Sequence, residues 1–157
     1  MSLFQLKERW RYWRTARGRH GTHSPFVYHF VEKGLKPSLP EAIVNHLERS
    51  AASLYDFKQA KTIYRCQHFL TDHASCIFLE VPTEEIARLF EEKAPLLQKG
   101  CCFIIKDIHR APGRAAVWRK LARDPRVNLS IDLWYIGLLF FRPEFKERQH
   151  FVLKHFA

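Results

Sequence analysis

Hydrophobic residues recur along the chain with two different periods, and the period changes near residue 60. Before that point, apolar positions recur every three or four residues, as on one face of a helix. The first such stripe consists of Leu3, Leu6, Trp10 and Trp13. We expect this stripe to pack on the core of the protein, and the alternative is a basic helix that lies on a membrane surface.

Two further helices are predicted in the first third of the chain. Ser24 followed by Pro25 is typical of a helix start, because the hydroxyl can cap the helix and proline fits its first turn. This helix is expected to end at Gly34. The segment Ser38–Glu41 has the spacing of a capping box, and the helix that begins there is expected to run to about Asp56.

The rest of the chain alternates short apolar runs with segments of helical pattern. The predicted strands are Thr62–Cys66, Ser75–Leu79, Cys101–Ile105, Val127–Asp132, Ile136–Phe141 and His150–Phe156. Helices between strands require parallel neighbours, whereas the last connection is too short for a crossover and predicts an antiparallel pair. The predicted fold class is therefore α/β, a mixed sheet with an antiparallel last strand and N-terminal helices.

The positive charge of the chain is concentrated in two segments. The 157 residues are 46% hydrophobic and 14% aromatic, which excludes a disordered chain. The formal net charge is +10. Residues 1–20 and residues 106–126 each carry +5, and the remainder is neutral. This distribution predicts an anionic partner such as nucleic acid, phosphate or an acidic membrane surface, with solubility alone as the alternative.

Neither a membrane span nor a disulfide framework is predicted. No apolar stretch approaches the ~18–20 residues that a spanning helix needs, and the first residues lack the apolar segment of a signal peptide. The four cysteines, Cys66, Cys76, Cys101 and Cys102, form no Cys-x-x-Cys pair. We therefore expect buried free thiols and a cytoplasmic location.

Three segments carry recognisable motifs. They are Arg17–Tyr28 with His-Gly-Thr-His-Ser-Pro-Phe-Val-Tyr, Cys76–Arg110 with Asp-Ile-His, and Pro112–Arg142. Together they resemble a group of bacterial class I S-adenosylmethionine-dependent methyltransferase-like proteins, related to small-molecule O-methyltransferases. The resemblance covers about two thirds of the chain. It implies a single domain with a partial Rossmann-like sheet in residues 37–157 and a helical extension in residues 1–36.

The chain departs from this family at the cofactor site. The family holds S-adenosylmethionine with a glycine-rich turn, as in dinucleotide sites. None of the six glycines here forms Gly-x-Gly. The residues between Gly34 and Ser75 are too few for the missing strand–helix units, each of which needs about 30 residues or more. The sequence therefore predicts a methyltransferase homologue that lacks its cofactor-binding half, binds no cofactor and is not catalytic by itself.

Two alternative functions stay open. The first is an active methyltransferase whose S-adenosylmethionine site is completed by a dimer or partner, since missing strands leave an unpaired sheet edge. The second is a basic module that binds nucleic acid or phosphate, for which the basic segment 110–126 is the candidate surface. That segment contains no recognisable nucleic-acid motif.

Glu80, Asp107 and His109 are the candidate catalytic residues. They follow predicted parallel strands, whose carboxyl ends meet where α/β sheets bind ligands, and a histidine beside a carboxylate can act as a general base. In the structural alternative, Lys106 pairs with Glu80 or Asp107 and His109 caps the next helix. Lys106 replaces an acid of the family motif and would repel a cation, so no metal site is predicted.

A second candidate site is an anion-binding group around the start of the second helix. Its members are Arg17, Arg19, His20, His23 and Ser24. Metal binding by the two histidines is opposed by the neighbouring arginines. In the structural alternative, Ser24 and His23 only fix the helix start through hydrogen bonds to the backbone.

Overall fold

The structure is a computed structural model that describes residues 2–17, 23–72, 75–79 and 83–154, without the side chains of residues 75–79 and 83. The helices in these ranges are α1 (Leu3–Thr15), α2 (Pro25–His29), α3 (Glu41–Ser50), α4 (Leu54–Leu70), α5 (Thr83–Lys93) and α6 (Pro112–Leu121). A π-helical segment, Phe30–Leu35, extends α2, and a 3-10 segment, Ala94–Lys99, follows α5. The strands are β1 (Ser75–Leu79), β2 (Cys101–Lys106), β3 (Leu129–Asp132), β4 (Ile136–Phe140) and β5 (Gln149–Val152).

The five strands form one mixed sheet in the order β1-β2-β4-β3-β5. The predicted α/β class is confirmed, but the antiparallel strand is β4, between β2 and β3, and not the last strand. Phe140 at the end of β4 and Gln149 at the start of β5 both lie opposite Leu129. The connection of residues 141–148 therefore only has to pass the end of β3, and it places β5 parallel to β3 at the edge.

The predicted strand Thr62–Cys66 is wrong, because these residues lie inside α4. The buried side chains of α4 are Gln59, Thr62, Cys66, Phe69 and Leu70, which recur every three or four residues on one helix face. Threonine, isoleucine and tyrosine in this segment favour strands in general, but strand preference depends on packing context. Here the helix packs against Phe30–Leu35, where Gly34 allows close approach to Phe69.

The helix predicted from Ser38 to Asp56 is two helices. The first, α3, ends at Ser50, and α4 begins after Ser53, whose hydroxyl accepts a hydrogen bond from the Asp56 N–H (3.1 Å). The predicted capping box is not formed, since the residue before α3 is Pro40 and no side chain caps this helix. A serine that caps the next helix thus decides where the first one stops.

Apolar side chains cover both faces of the sheet, as strand alternation requires. On one face, Ile104 and Leu138 pack with Phe30 and other side chains of the α2 and α4 region. On the other face, Phe103 and Leu139 pack with side chains from α5 and α6. The N-terminal segment before residue 37 thus contributes to the same core as the sheet.

The thiols of Cys66, Cys101 and Cys102 are free, and those of Cys66 and Cys102 are buried, as predicted. No helix within the described ranges is both long and apolar enough to cross a membrane.

The face of α1 that contacts the protein is not the predicted one. We call the residues of the predicted contact face the α1 stripe: Leu3, Leu6, Trp10 and Trp13. All four are exposed, between 48% and 79% of their surface, whereas Glu8 and Tyr12 are buried at 7% and 4%. The prediction that the stripe packs on the core is wrong because polar partners decide the docking. The Tyr12 hydroxyl donates to the Leu153 carbonyl, and Glu8 binds His109.

Gly137 in β4 leaves room for the indole ring of Trp118. A Cβ atom at position 137 would lie 2.4 Å from that ring, and the ring is fixed by a hydrogen bond from its Nε1 to Asp132 Oδ2 (3.1 Å). We therefore expect Gly137→Ala to lower the free energy of unfolding by about 1–3 kcal/mol in urea denaturation. The same glycine substitution in a Trp118→Leu background should cost less, and equal costs in both backgrounds would contradict this packing.

Candidate functional site

His109 lies buried between two carboxylates that come from distant parts of the chain. Its Nδ1 is 3.1 Å from Glu8 Oε2 on α1, and its Nε2 is 2.7 Å from Asp132 Oδ2 at the end of β3. All three residues are less than 9% exposed. A carboxylate only accepts hydrogen bonds, so each ring nitrogen of His109 has an acceptor within hydrogen-bond distance.

Asp132 holds three donors at once. Its Oδ2 accepts from His109 and from the Trp118 indole N–H, and its Oδ1 accepts from the Trp134 backbone N–H (2.9 Å). The last bond fixes the turn between β3 and β4, where Trp134 has a φ of 69°, a left-handed conformation that is uncommon outside glycine. In this conformation the Trp134 indole stacks on the His109 ring, with 4.9 Å between the ring centres and 17° between the planes.

Glu8 is the corresponding acceptor on α1. Its Oε1 accepts from the Arg119 guanidinium of α6 (2.5 Å) and lies 3.6 Å from Nη1 of Arg11. Glu8 is therefore matched by two arginines and Asp132 by three N–H donors, which is the condition under which buried carboxylates are stable. Burial, with the Asp132 charge as a smaller cause, raises the pKa of Tyr12, which keeps this phenol a neutral donor. The network docks α1 on the sheet.

A cavity of about 830 Å³ opens above this network. Its lining includes Tyr12, Trp118, His109 and Asp132. Five arginines from three parts of the chain also line it: Arg11, Arg17, Arg119, Arg123 and Arg148. The volume lies within the range of about 300–1,000 Å³ that is usual for small-molecule sites.

The cavity carries excess positive charge. Five arginines and two acidic residues, Glu8 and Asp132, give its lining a formal charge of +3 with neutral histidines. Arg119 is bound to Glu8, and Arg148 donates to the Arg123 carbonyl. The guanidinium groups of Arg17 and Arg123 have no hydrogen-bond or ion-pair partner within the described ranges. These two groups are available to an anion that enters the cavity.

Two histidines also line the cavity wall. Nδ1 of His150 lies 2.6 Å from the Ser130 hydroxyl. Part of the His150 ring is covered by protein, and this desolvation lowers its pKa, so that the ring is neutral near pH 7. His23 is exposed at the start of the helical segment that contains α2.

Of the candidate catalytic residues, Asp107 and His109 have different side-chain partners. Glu80 lies outside the described residues. Asp107, with a φ of 60°, accepts a hydrogen bond from Gln59 (3.0 Å), and its carboxylate lies 3.5 Å from the Arg110 guanidinium. His109 faces Glu8 and Asp132 instead. The structural alternative for His109 is also wrong, because no side chain caps α6.

The predicted anion-binding group is brought together only in part. Arg17 and His23 line the cavity. Ser24 is buried and its hydroxyl accepts from the Val27 N–H (3.3 Å), so it caps α2 as predicted and is not among the lining residues. Arg19 and His20 lie outside the described residues.

A smaller groove of about 360 Å³ lies on the other side of His109, between α1 and α4. Tyr55 lines it, and burial followed by the nearby Asp107 carboxylate raises the pKa of this phenol. The Arg110 guanidinium lies 5.0 Å from the centre of the Tyr55 ring. In the described part of the chain, no group of three His, Cys, Asp or Glu side chains has the geometry to hold a metal ion.

Several site residues were not predicted from the sequence. Glu8, the single acid in a strongly basic helix, and Asp132, at the end of an apolar strand, were both unusual for their surroundings. Glu8 and Tyr12 are four residues apart, so they share a helix face. A search for the polar residues that do not fit their element would have found Glu8, Tyr12 and Asp132.

Comparisons with known proteins add no relative. No family model, curated protein or solved structure matches this chain. The resemblance to methyltransferase-like proteins therefore remains a prediction that rests on the sequence motifs.

Proposed function

We propose that this protein is a non-catalytic binding domain, related to class I methyltransferases, and that its cavity binds an anion of the phosphate class. The observation that carries the proposal is the presence of two arginines, Arg17 and Arg123, whose guanidinium groups have no hydrogen-bond or ion-pair partner within the described ranges, on the wall of a cavity whose formal charge is +3. Guanidinium groups suit phosphate because their planar N–H donors match its oxygens.

The size and lining of the cavity favour a phosphorylated small molecule over a simple ion. A volume of about 830 Å³ greatly exceeds what a single phosphate group needs. Aromatic side chains, Tyr12, Trp118 and Phe151, line the same space as the arginines. A ligand with one or more phosphate groups and an attached organic part would use both kinds of contact.

The arrangement around His109 supports a binding role and not a catalytic one. A general base needs a free nitrogen within reach of the substrate proton. Both ring nitrogens of His109 face carboxylates, and Trp134 covers one face of the ring. The Asp132 carboxylate likewise already accepts three hydrogen bonds. Polar residues at the ends of the strands thus serve to join α1 to the sheet.

The relation to methyltransferases is supported by the sequence motifs and by the missing cofactor segment. The sheet supports only the α/β class, because its antiparallel strand is β4 and not the last strand that the resemblance predicts. The residues in which the family would build its cofactor-binding strands form α3 and α4 instead. S-adenosylmethionine also carries a positive sulfonium and ammonium group, which a positively charged cavity repels.

A nucleic-acid surface on the basic segment 106–126 is less well supported. Arg110, Arg119 and Arg126 of this segment are each paired with carboxylates. Arg126 binds Asp124 and Glu91, and these hydrogen bonds lower the pKa of both carboxyl groups. Much of the charge that the sequence concentrates here is therefore used inside the protein.

Isothermal titration calorimetry with pyrophosphate and with S-adenosylmethionine tests the proposed function. Pyrophosphate supplies the phosphate chemistry without an organic part, so binding in the micromolar range is expected at low ionic strength. The affinity should fall as salt is raised, because the attraction is between charges. No heat of binding is expected with S-adenosylmethionine.

Each ligand can contradict one part of the proposal. Micromolar binding of S-adenosylmethionine would reject the non-catalytic assignment and favour an active methyltransferase. In that case light scattering would show whether a dimer, formed at the β1 or β5 edge of the sheet, completes the site. Absence of pyrophosphate binding at low ionic strength would reject the anion site.

A further inference from the structure

The α1 stripe presents four large apolar side chains to solvent on one side of a helix. Successive helix residues are about 100° apart, so the stripe spans about 80° of arc, on the side opposite to the docked residues Glu8 and Tyr12. Trp10 and Leu3 are 64% and 79% exposed. Isolated exposed apolar residues are ordinary, but a continuous set on one helix face indicates an interaction surface.

Basic residues flank this stripe on both sides. On the same helical projection, Lys7 and Arg14 lie on one side of the stripe and Arg9 on the other, and all three are exposed. The Arg14 guanidinium covers the Trp10 ring at 4.5 Å from its centre. None of the three cations has an acidic partner within the described ranges.

We infer that α1 is a peripheral membrane anchor that inserts the α1 stripe into the surface of an anionic lipid bilayer. Tryptophan and leucine on one face with lysine and arginine beside them are the features of helices that lie in the plane of a bilayer interface. The indole ring prefers this zone because it is apolar with one polar N–H. The flanking cations would contact acidic headgroups while the stripe enters the acyl boundary.

The charge beside the α1 stripe favours a lipid surface over a second copy of the chain as its partner. Two copies joined stripe to stripe would bring Lys7, Arg9 and Arg14 of both copies together, in a protein whose formal charge is already +10. An anionic bilayer supplies the opposite charge. It also buries the apolar side chains of Leu3 and Leu6. Contact with the hydrated backbone of a nucleic acid would remove little of their apolar surface from water.

This inference is independent of the cavity. The stripe lies on the side of α1 away from Glu8, which faces the cavity network. Leu54, which is 68% exposed, borders the smaller groove together with Arg9, so the apolar surface continues beside α1. A ligand in the cavity would leave the stripe accessible.

Vesicle co-sedimentation tests the inference. The full chain should bind vesicles of equimolar phosphatidylglycerol and phosphatidylcholine, and bind vesicles of phosphatidylcholine alone at least about tenfold more weakly. The variant Trp10→Gln/Trp13→Gln should lose at least about tenfold in binding to the anionic vesicles. Tyr28→Gln is the matched control, since it removes an exposed aromatic residue outside α1 (45% exposed) and should bind like the natural chain.

A second measurement does not depend on any variant. Lipids brominated on their acyl chains should quench the tryptophan fluorescence of the natural chain, because the exposed indoles of α1 enter the bilayer. Addition of pyrophosphate at constant ionic strength should leave vesicle binding unchanged, whether or not the cavity binds pyrophosphate.

Equal binding to both kinds of vesicle, or unchanged vesicle binding of Trp10→Gln/Trp13→Gln, would overturn the inference. So would a dimer of the natural chain that these two substitutions dissociate. A chain that binds no vesicles but is retained on single-stranded DNA through the two tryptophans would also overturn it.

Discussion

Replacing Asp132 with alanine is expected to lower the free energy of unfolding by about 3–5 kcal/mol, the usual cost of removing one partner from a buried charge pair. The carboxylate accepts from the His109 ring, the Trp118 indole and the Trp134 backbone. Asp132→Ala leaves all three donors buried without an acceptor. Urea denaturation at pH 7 measures the loss.

The control for this prediction is an exposed carboxylate. Glu144→Ala removes an ion pair with Arg142 in which the Glu144 side chain is 51% exposed, and such pairs contribute about 0–1 kcal/mol. Asp132→Asn should lie between the two, because the amide keeps one acceptor oxygen but loses the charge. Equal costs for Asp132→Ala and Glu144→Ala would show that the network does not hold α1 on the sheet.

Removing the two cavity arginines whose guanidinium groups have no partner within the described ranges is expected to abolish most anion binding. Arg17→Gln/Arg123→Gln should weaken pyrophosphate binding by at least about tenfold, since a hydrogen bond to a charged group contributes about 1.5–3 kcal/mol and 1.4 kcal/mol is a factor of ten. Both side chains are exposed on the cavity wall, so the stability of the variant should be close to that of the natural chain. Calorimetry gives the affinity, and urea denaturation gives the stability.

A matched variant shows whether the loss of pyrophosphate affinity comes from the site or from the lower net charge. Lys33→Gln/Lys99→Gln also removes two positive charges, from exposed positions that do not line the cavity. This variant should bind pyrophosphate within about twofold of the natural chain, because distant exposed charges are screened. An equal loss in both double variants would mean that the anion responds to overall charge and has no defined site.

Local sequence patterns predicted most of the strands. The features that they did not predict depend on tertiary contacts. The strand Ser75–Leu79 and the helix start at Ser24 follow from apolar runs and capping chemistry, and the structure confirms both. The strand predicted at Thr62–Cys66 failed because residue preference there is overridden by helical packing. The place of β5 could not be predicted, since it depends on which neighbour the connection reaches.

The site was less predictable than the fold, because its residues meet only in three dimensions. His109 was singled out from its motif, but its partners, Glu8 and Asp132, are 101 and 23 residues away in sequence. The α1 stripe looked like a core face because apolar spacing does not show which side of a helix will dock. Docking through Glu8 and Tyr12 instead gives the His109 ring and the Leu153 carbonyl hydrogen-bond partners, and buried polar groups without partners are costly.

The central claim, that the cavity is an anion site, is tested most directly by a crystal structure of the chain grown with tungstate, a heavy analogue of phosphate. We expect electron density for tungstate inside the cavity, within hydrogen-bond distance of the guanidinium groups of Arg17 and Arg123. Tungstate bound only elsewhere on the surface, with those two arginines unoccupied, would contradict it.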